Sequence, residues 1–360
     1  MPRNAAMRGS RADDVQPGIP GPAKLRGRII GIYVLLCVAN AAVWLWALRT
    51  FHDYPVLLGT SLLAYTFGLR HAVDADHIAA IDNVTRKLMQ DGQRPVAVGF
   101  FFSLGHSTVV VLASLAIAAT ASALEREFEA FKRIGGLVGT GVSAAFLFAI
   151  AIANIFVLVG VWRTFRRAKN GGAFVEEDLD RLLANRGFLA RLLRPIFGLI
   201  RQSWMMYPLG FLFGLGFDTA TEIGVLGMSA TGAAQNLSIW SILVFPALFT
   251  AGMTLVDTTD SILMLGAYGW AFVKPIRKLY YNMTITLVSV VVALTVGSIE
   301  ALGVIADRLG LDKGAWATIA SLNENFGNLG FFIIGIFVAS WAVSIVIYWA
   351  KGYDRLEITG

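Results

Sequence analysis

Long apolar runs recur along this chain and leave it little choice of fold. Residues 29–48, 96–121, 136–162, 239–273, 279–306 and 327–350 each reach or exceed the ~20 residues that a helix needs to cross a bilayer. Two more runs, starting near Val56 and near Trp204, are apolar but carry charged motifs. In hydrocarbon every backbone N–H and C=O must find its partner inside the segment, so such runs predict helices. With 56% hydrophobic and 15% charged residues, the composition lies outside the range of a soluble domain. The expected fold class is all-α: a polytopic integral membrane protein with eight transmembrane helices and both termini in the cytoplasm.

The cations set the orientation. Residues 1–28 form a basic tail with Arg3, Arg8, Arg11, Lys24, Arg26 and Arg28, read as disordered and cytoplasmic. The run 29–48 is too long for a signal-peptide core and no convincing cleavage site follows it, so it reads as the first span. A polar segment at about 163–203 holds Arg163, Arg166, Arg167, Lys169, Arg181, Arg186, Arg191, Arg194 and Arg201, and marks the cytoplasmic side most strongly. The transport domain then covers 29–350, and 351–360 is a second cytoplasmic tail. The net charge of +6 is spent on these loops, with no basic stripe or aromatic platform for nucleic acid. Cys37 is the one cysteine, which excludes a disulfide or thiolate cluster, and it reads as a small core hydrophobe. No phosphate-binding loop occurs, so the chain shows no ATPase engine and no sign of an ATPase subunit. The remaining partner implied is the lipid bilayer.

The second span, read as running from Val56 to about Asn83 with Arg86 and Lys87 ending it, contains Arg70-His71-Ala72-Val73-Asp74-Ala75-Asp76-His77-Ile78. Ionisable groups at such depth cost several kcal/mol each by most estimates and mark function by default. If the span stays helical, His71, Asp74 and His77 share one face, while Asp76 falls off that arc as a ligand or as a group that holds one. Asp82 returns near the azimuth of His71, on a possible exit path. Three of the four histidines, His71, His77 and His106, fall in apolar segments; His52 lies in a loop. Imidazoles with carboxylates and no thiolate suit Ni²⁺, Co²⁺ or Zn²⁺ rather than Cu⁺, Ca²⁺ or Mg²⁺. Two acidic pairs recur at helical spacing, Asp218 with Glu222 and Asp257 with Asp260. Interhelical hydrogen bonding is the alternative for His106, and structural pairing, for instance to Arg70, for the acids. Arg70, having no lone pair to donate, is a counter-ion rather than a ligand. Glu300 reads as a solvated interfacial residue, and Val73 as a candidate for shaping the site. A short internal echo links Asp74-Ala-Asp-His-Ile to Thr219-Ala-Thr-Glu-Ile, and Leu104-Gly-His-Ser-Thr to Leu255-Val-Asp-Thr-Thr, as an inverted repeat of three spans would.

At these residues the chain resembles the nickel/cobalt transporter family, and most of all its high-affinity nickel permeases. The segment 70–78 is similar to that family's span-2 signature, a His, four residues, then Asp-His, and 101–110, 215–223 and 252–260 resemble its other three. The resemblance implies a multi-pass bacterial inner-membrane permease that imports Ni²⁺, with Co²⁺ as a second substrate, and needs no prosthetic group. It also implies that His71, Asp74, Asp76 and His77 matter most, with His106, Asp218, Glu222, Asp257 and Asp260 supporting. A membrane metalloenzyme using the same His/Asp cluster is the rival reading, although the pattern does not match the helical His-Glu-x-x-His of metalloproteases.

Overall fold

The computed structural model describes residues 22–119, 125–169, 200–215, 219–271 and 275–350. Among these the chain is helical throughout, without strands. The α-helices are α1 (Pro22–Phe51), α2 (Pro55–His71), α3 (Ala75–Gln90), α4 (Val98–Ala119), α5 (Glu125–Lys169), α6 (Met206–Gly214), α7 (Ala220–Ala234), α8 (Ile239–Ile242), α9 (Val244–Ala271), α10 (Pro275–Leu309), α11 (Ala315–Glu324) and α12 (Phe326–Ala350). Six segments are long and apolar enough to cross a membrane: those in α1, α4, α5, α10 and α12, and Ile239–Ala267 across α8 and α9. The pair α2–α3, bent by 51°, makes a seventh when counted as one span. The helices α6 and α7, of 9 and 15 residues, flank a second interruption.

The interrupted helix is the main departure from the sequence reading. The second span does not stay helical through its motif: α2 stops at His71, Asp74 is extended (φ −65°, ψ 148°) as the N-cap of α3, and the axis turns. No glycine or proline announces this break. The Asp74 side chain does not cap α3 but turns back to His71, so a side-chain bond takes the place of helix continuity. Nor does α3 end at Asn83. It runs to Gln90, and Arg86, expected at the membrane edge, is buried and donates to Asn83 Oδ1 at 2.8 Å, which also accepts from Asn154 of α5 at 2.6 Å.

Smaller corrections follow from packing. Helix α1 begins at Pro22, inside the segment read as a tail, because proline fits a helix's first turn. Cys37 is exposed on α1, which carries Val34, Val38 and Leu45 on the same apolar outer surface, so it is no core residue. Glu300 is buried, not solvated, and accepts from Ser143 of α5 at 2.8 Å. The loop before the last span contains α11, a helix that the sequence reading missed. Residues 1–21 and 351–360, and 170–199 of the basic loop, lie outside the described residues.

Two helix crossings hold the centre together, and both use glycine. A Cβ on Gly68 would collide with the Phe249 carbonyl, and one on Gly252 would come within 2.7 Å of the Tyr65 carbonyl, so α2 and α9 touch backbone to backbone. The same happens between α4 and α6, where Gly105 meets the Tyr207 carbonyl and Gly210 meets that of Phe102. Without a hydrophobic force between helices in lipid, close van der Waals approach of this kind is what association rests on. The crossings bring the ends of α2 and α6, where the two interruptions begin, alongside α9 and α4.

Candidate metal centre

Six polar side chains from five helices and one helix break converge here, all of them buried. His71 closes α2, Asp74 lies in the break, His77 stands in the first turn of α3, His106 in mid-α4, Glu222 in the first turn of α7 and Asp257 in mid-α9. The rings of His71, His77 and His106 are mutual neighbours, with centroids 4.7, 4.8 and 4.9 Å apart. One nitrogen from each of the three lies within 4.8 Å of the others.

Each imidazole has a carboxylate partner, which for His106 meets Nε2, the nitrogen that also faces His71. His71 Nδ1 lies 2.9 Å from Asp74 Oδ2, His77 Nδ1 3.1 Å from Asp257 Oδ2, and His106 Nε2 2.8 Å from Glu222 Oε1. These partners assign the protons. With Nδ1–H donating to Asp74, His71 keeps a lone pair on Nε2, which lies 2.9 Å from His106 Nε2. With Nδ1–H donating to Asp257, His77 keeps its lone pair on Nε2, a buried atom with no hydrogen-bond partner. His106 Nδ1 is likewise buried without one. Carboxylates that orient an imidazole and raise its basicity are the usual backing of metal-binding histidines. Buried nitrogens left unpaired are costly unless something else takes their lone pairs. Hydroxyls complete the surround: Ser103 donates to Asp257 Oδ2 at 2.6 Å, Thr219 donates to Glu222 Oε2 at 3.0 Å, and Thr221 Oγ1 lies 3.2 Å from His71 Nδ1.

The echo seen in the sequence has a structural counterpart. Asp74 and Thr219 are the N-caps of α3 and α7, each following an interruption. His77 and Glu222 stand at matching positions after them, and His106 and Asp257 hold matching places in α4 and α9. The bonds then cross, His77 to Asp257 and Glu222 to His106.

A family model, NicO, described as high-affinity nickel-transport protein, matches residues 57–347. The chain belongs to the NicO family. It is 61% identical over 333 residues to the high-affinity nickel transport protein of Cupriavidus necator, covering 92% of this chain and 95% of that one. It is 49% identical to the nickel transporter NicT of Mycobacterium tuberculosis, over 83% and 80% of the two chains. To the cobalt transport protein NhlF of Rhodococcus rhodochrous it is 40% identical, over 88% and 90%. No solved structure matches it.

In this NicO chain the remaining candidates divide. Asp76 is half-buried in the first turn of α3, where a carboxylate suits the helix dipole. Asp82 is buried further along α3, where its Oδ2 accepts from Ser289 of α10 at 2.7 Å. Asp260 follows Asp257 by about one turn of α9, and its Oδ2 is buried without a hydrogen-bond partner. Asp218 lies outside the described residues. Arg70 is exposed and ion-pairs with no described residue; Glu222 and Asp257, for which structural pairing to Arg70 was the alternative reading, face histidines instead. Ser103, Thr219 and Thr221 were not singled out from the sequence, although the pairing of Thr219-Ala-Thr with Asp74-Ala-Asp was the available signal.

Proposed function

We propose that this NicO chain is a permease that carries Ni²⁺, and Co²⁺ as a second substrate, across the cytoplasmic membrane into the cell. The observation that carries the proposal is the convergence of His71, His77 and His106 in one buried cluster with a carboxylate bonded to each. A nitrogen-rich donor set without thiolate fits first-row divalent ions, and the nickel and cobalt transport proteins among its relatives agree with that chemistry. His71, His77 and His106 are the ligands in this reading. Asp74, Asp257 and Glu222 hold them in place, and Asp76 completes the shell or supports it. Asp82, Asp218, Asp260 and Arg70 belong to the pathway on either side.

Beyond the six continuous spans and the bent pair α2–α3, we count α6–α7 as an eighth, and the basic segments support a cytoplasmic side for both termini. Interrupted helices at mid-membrane suit a binding site, since irregular backbone is tolerated there only where it is buried in protein or lines a cavity. The membrane potential favours inward movement of a divalent ion by ~4.6 kcal/mol per 100 mV. Capture and release need two differently competent states, and the breaks are where the chain can alternate between them.

The test is accumulation of radioactive nickel in cells expressing the full chain. His71→Ala and His77→Ala should abolish it while the protein stays in the membrane; undiminished uptake by either variant would remove that residue from the ligand set. Uptake into proteoliposomes by the purified protein alone separates a permease from a membrane metalloenzyme, which would show none.

A further inference from the structure

Helix α12 has no acidic, basic or histidine residue and lies outside all four signature segments, yet it seats the break on which the metal centre depends. His71 and His77 face each other across that break, and their 4.7 Å ring separation follows from the 51° bend. Apart from the His77–Asp257 bond, which ties α3 to α9 as well, the two sides of the break have separate anchors. Helix α2 is fixed to α9 through Gly68 and Gly252. The start of α3 is fixed to α12: Ala75, Ile78 and Ala79 pack with Ile333, Leu329 and Phe337.

Gly330 sits at the centre of this second anchor and is buried. A Cβ there would run into the carbonyl oxygen of Val73 and come within 3.2 Å of Ile78 Cδ1. The Val73 carbonyl is among those that the break sets loose. Val73 N and Asp74 N bond back to the carbonyls of Arg70 and His71, and the first bond of α3 runs from Ile78 N to Asp74 O. Among the described residues Val73 O accepts no main-chain hydrogen bond. Its resting place is the bare Cα–H of Gly330, a weak but favourable contact that any other residue would block.

We propose that Gly330 is a positioning residue for the metal centre: by seating the Val73 carbonyl it sets the spacing of His77 relative to His71, and with it the affinity and the nickel-to-cobalt preference, without touching the ion. The inference rests on the transport reading above. Bulk at position 330 pushes the break away from α12 while α2 stays held by α9, so the two imidazoles shift against each other.

The experiment compares wild type, Gly330→Ala and Gly335→Ala in labelled-nickel uptake, reading KM, maximal rate and the ratio of inhibition by cobalt to that by nickel. Gly335 lies on the same helix with nothing within 4 Å of an added Cβ, so its variant should behave as wild type. Gly330→Ala, at wild-type level in the membrane, should raise KM by about tenfold or more, as loss of a ligand's support does, and change the inhibition ratio. Unchanged KM and ratio, or a fall in maximal rate alone, overturn the proposal. If Gly330→Ala does not reach the membrane, Ile78→Val decides, because it removes only the methyl resting on Gly330: a changed KM or ratio supports the assignment and unchanged values overturn it. Wild type failing to take up nickel would instead sink the transport reading itself.

Discussion

His77 sends its two nitrogens to different tasks. Nδ1 donates to Asp257, which is itself fixed by the Ser103 hydroxyl, so Nε2 keeps its lone pair in a ring whose neighbours are His71 and His106. Asp257→Asn keeps an acceptor for Nδ1–H but removes the charge that makes the imidazole a strong donor. It should raise the KM for nickel uptake by about tenfold or more with the protein still in the membrane. Saturation curves on whole cells normalised to protein level check this, and an unchanged KM would reduce Asp257 to packing. At this scale the histidines were legible from cost alone, since imidazoles in apolar segments need a reason. Their pairing was not. Nothing in the spacing of Asp257 and Asp260 on one helix says which of the two meets His77, because that depends on where α9 crosses α2 and α3. Arg86 misled for a related reason: a guanidinium near a span end reads as a cytoplasmic flag, whereas here Asn83 gives it a buried acceptor that Asn154 also donates to.

Helix boundaries were legible where hydropathy alone decides them, as in α4, α10 and α12, and illegible where side chains decide. The break between α2 and α3 contains no residue that forbids a helix. It is made by Asp74 bonding back to His71 and by the Val73 carbonyl resting on α12, both outcomes of tertiary contact. The glycines are more informative in hindsight than the polar residues. Nothing in the sequence marks Gly68 and Gly252 as contact points, yet they let α2 and α9 meet at the backbone, beside the histidine cluster. Gly68→Ala should destabilise the protein by ~1–3 kcal/mol or more, the usual range for overpacking, and here at a contact that backbone cannot easily vacate. Gly227→Ala, with nothing within 4 Å of the added atom, should be neutral. Thermal unfolding of both variants in the same detergent reads the difference, and equal midpoints would contradict the crossing.

For the whole molecule, the two interruptions and the crossed bonds between His77 and Asp257 and between Glu222 and His106 are what two inverted halves meeting at one site would produce. One half supplies nitrogen and the other answers with carboxylate at the matching place. Topology is the part of the architecture that charge distribution alone proposes, and it is open to a direct check. In a Cys37→Ser background, single cysteines placed at His52 and Lys313 should react with a membrane-impermeant maleimide added to intact cells, while cysteines at Arg11 and Arg355 should not. Labelling of either terminal position from outside would reverse or break the eight-span arrangement.

The 2.9 Å between His71 Nε2 and His106 Nε2 is a hydrogen-bond length, and with His71 donating its Nδ1 proton to Asp74 the proton between the two rings belongs to His106, where Glu222 also accepts it. On the transport reading, an ion that takes the His71 lone pair displaces that proton or turns the His106 ring so that Nδ1 comes forward. Loading of the cluster is thereby tied to the movement of one proton or one ring.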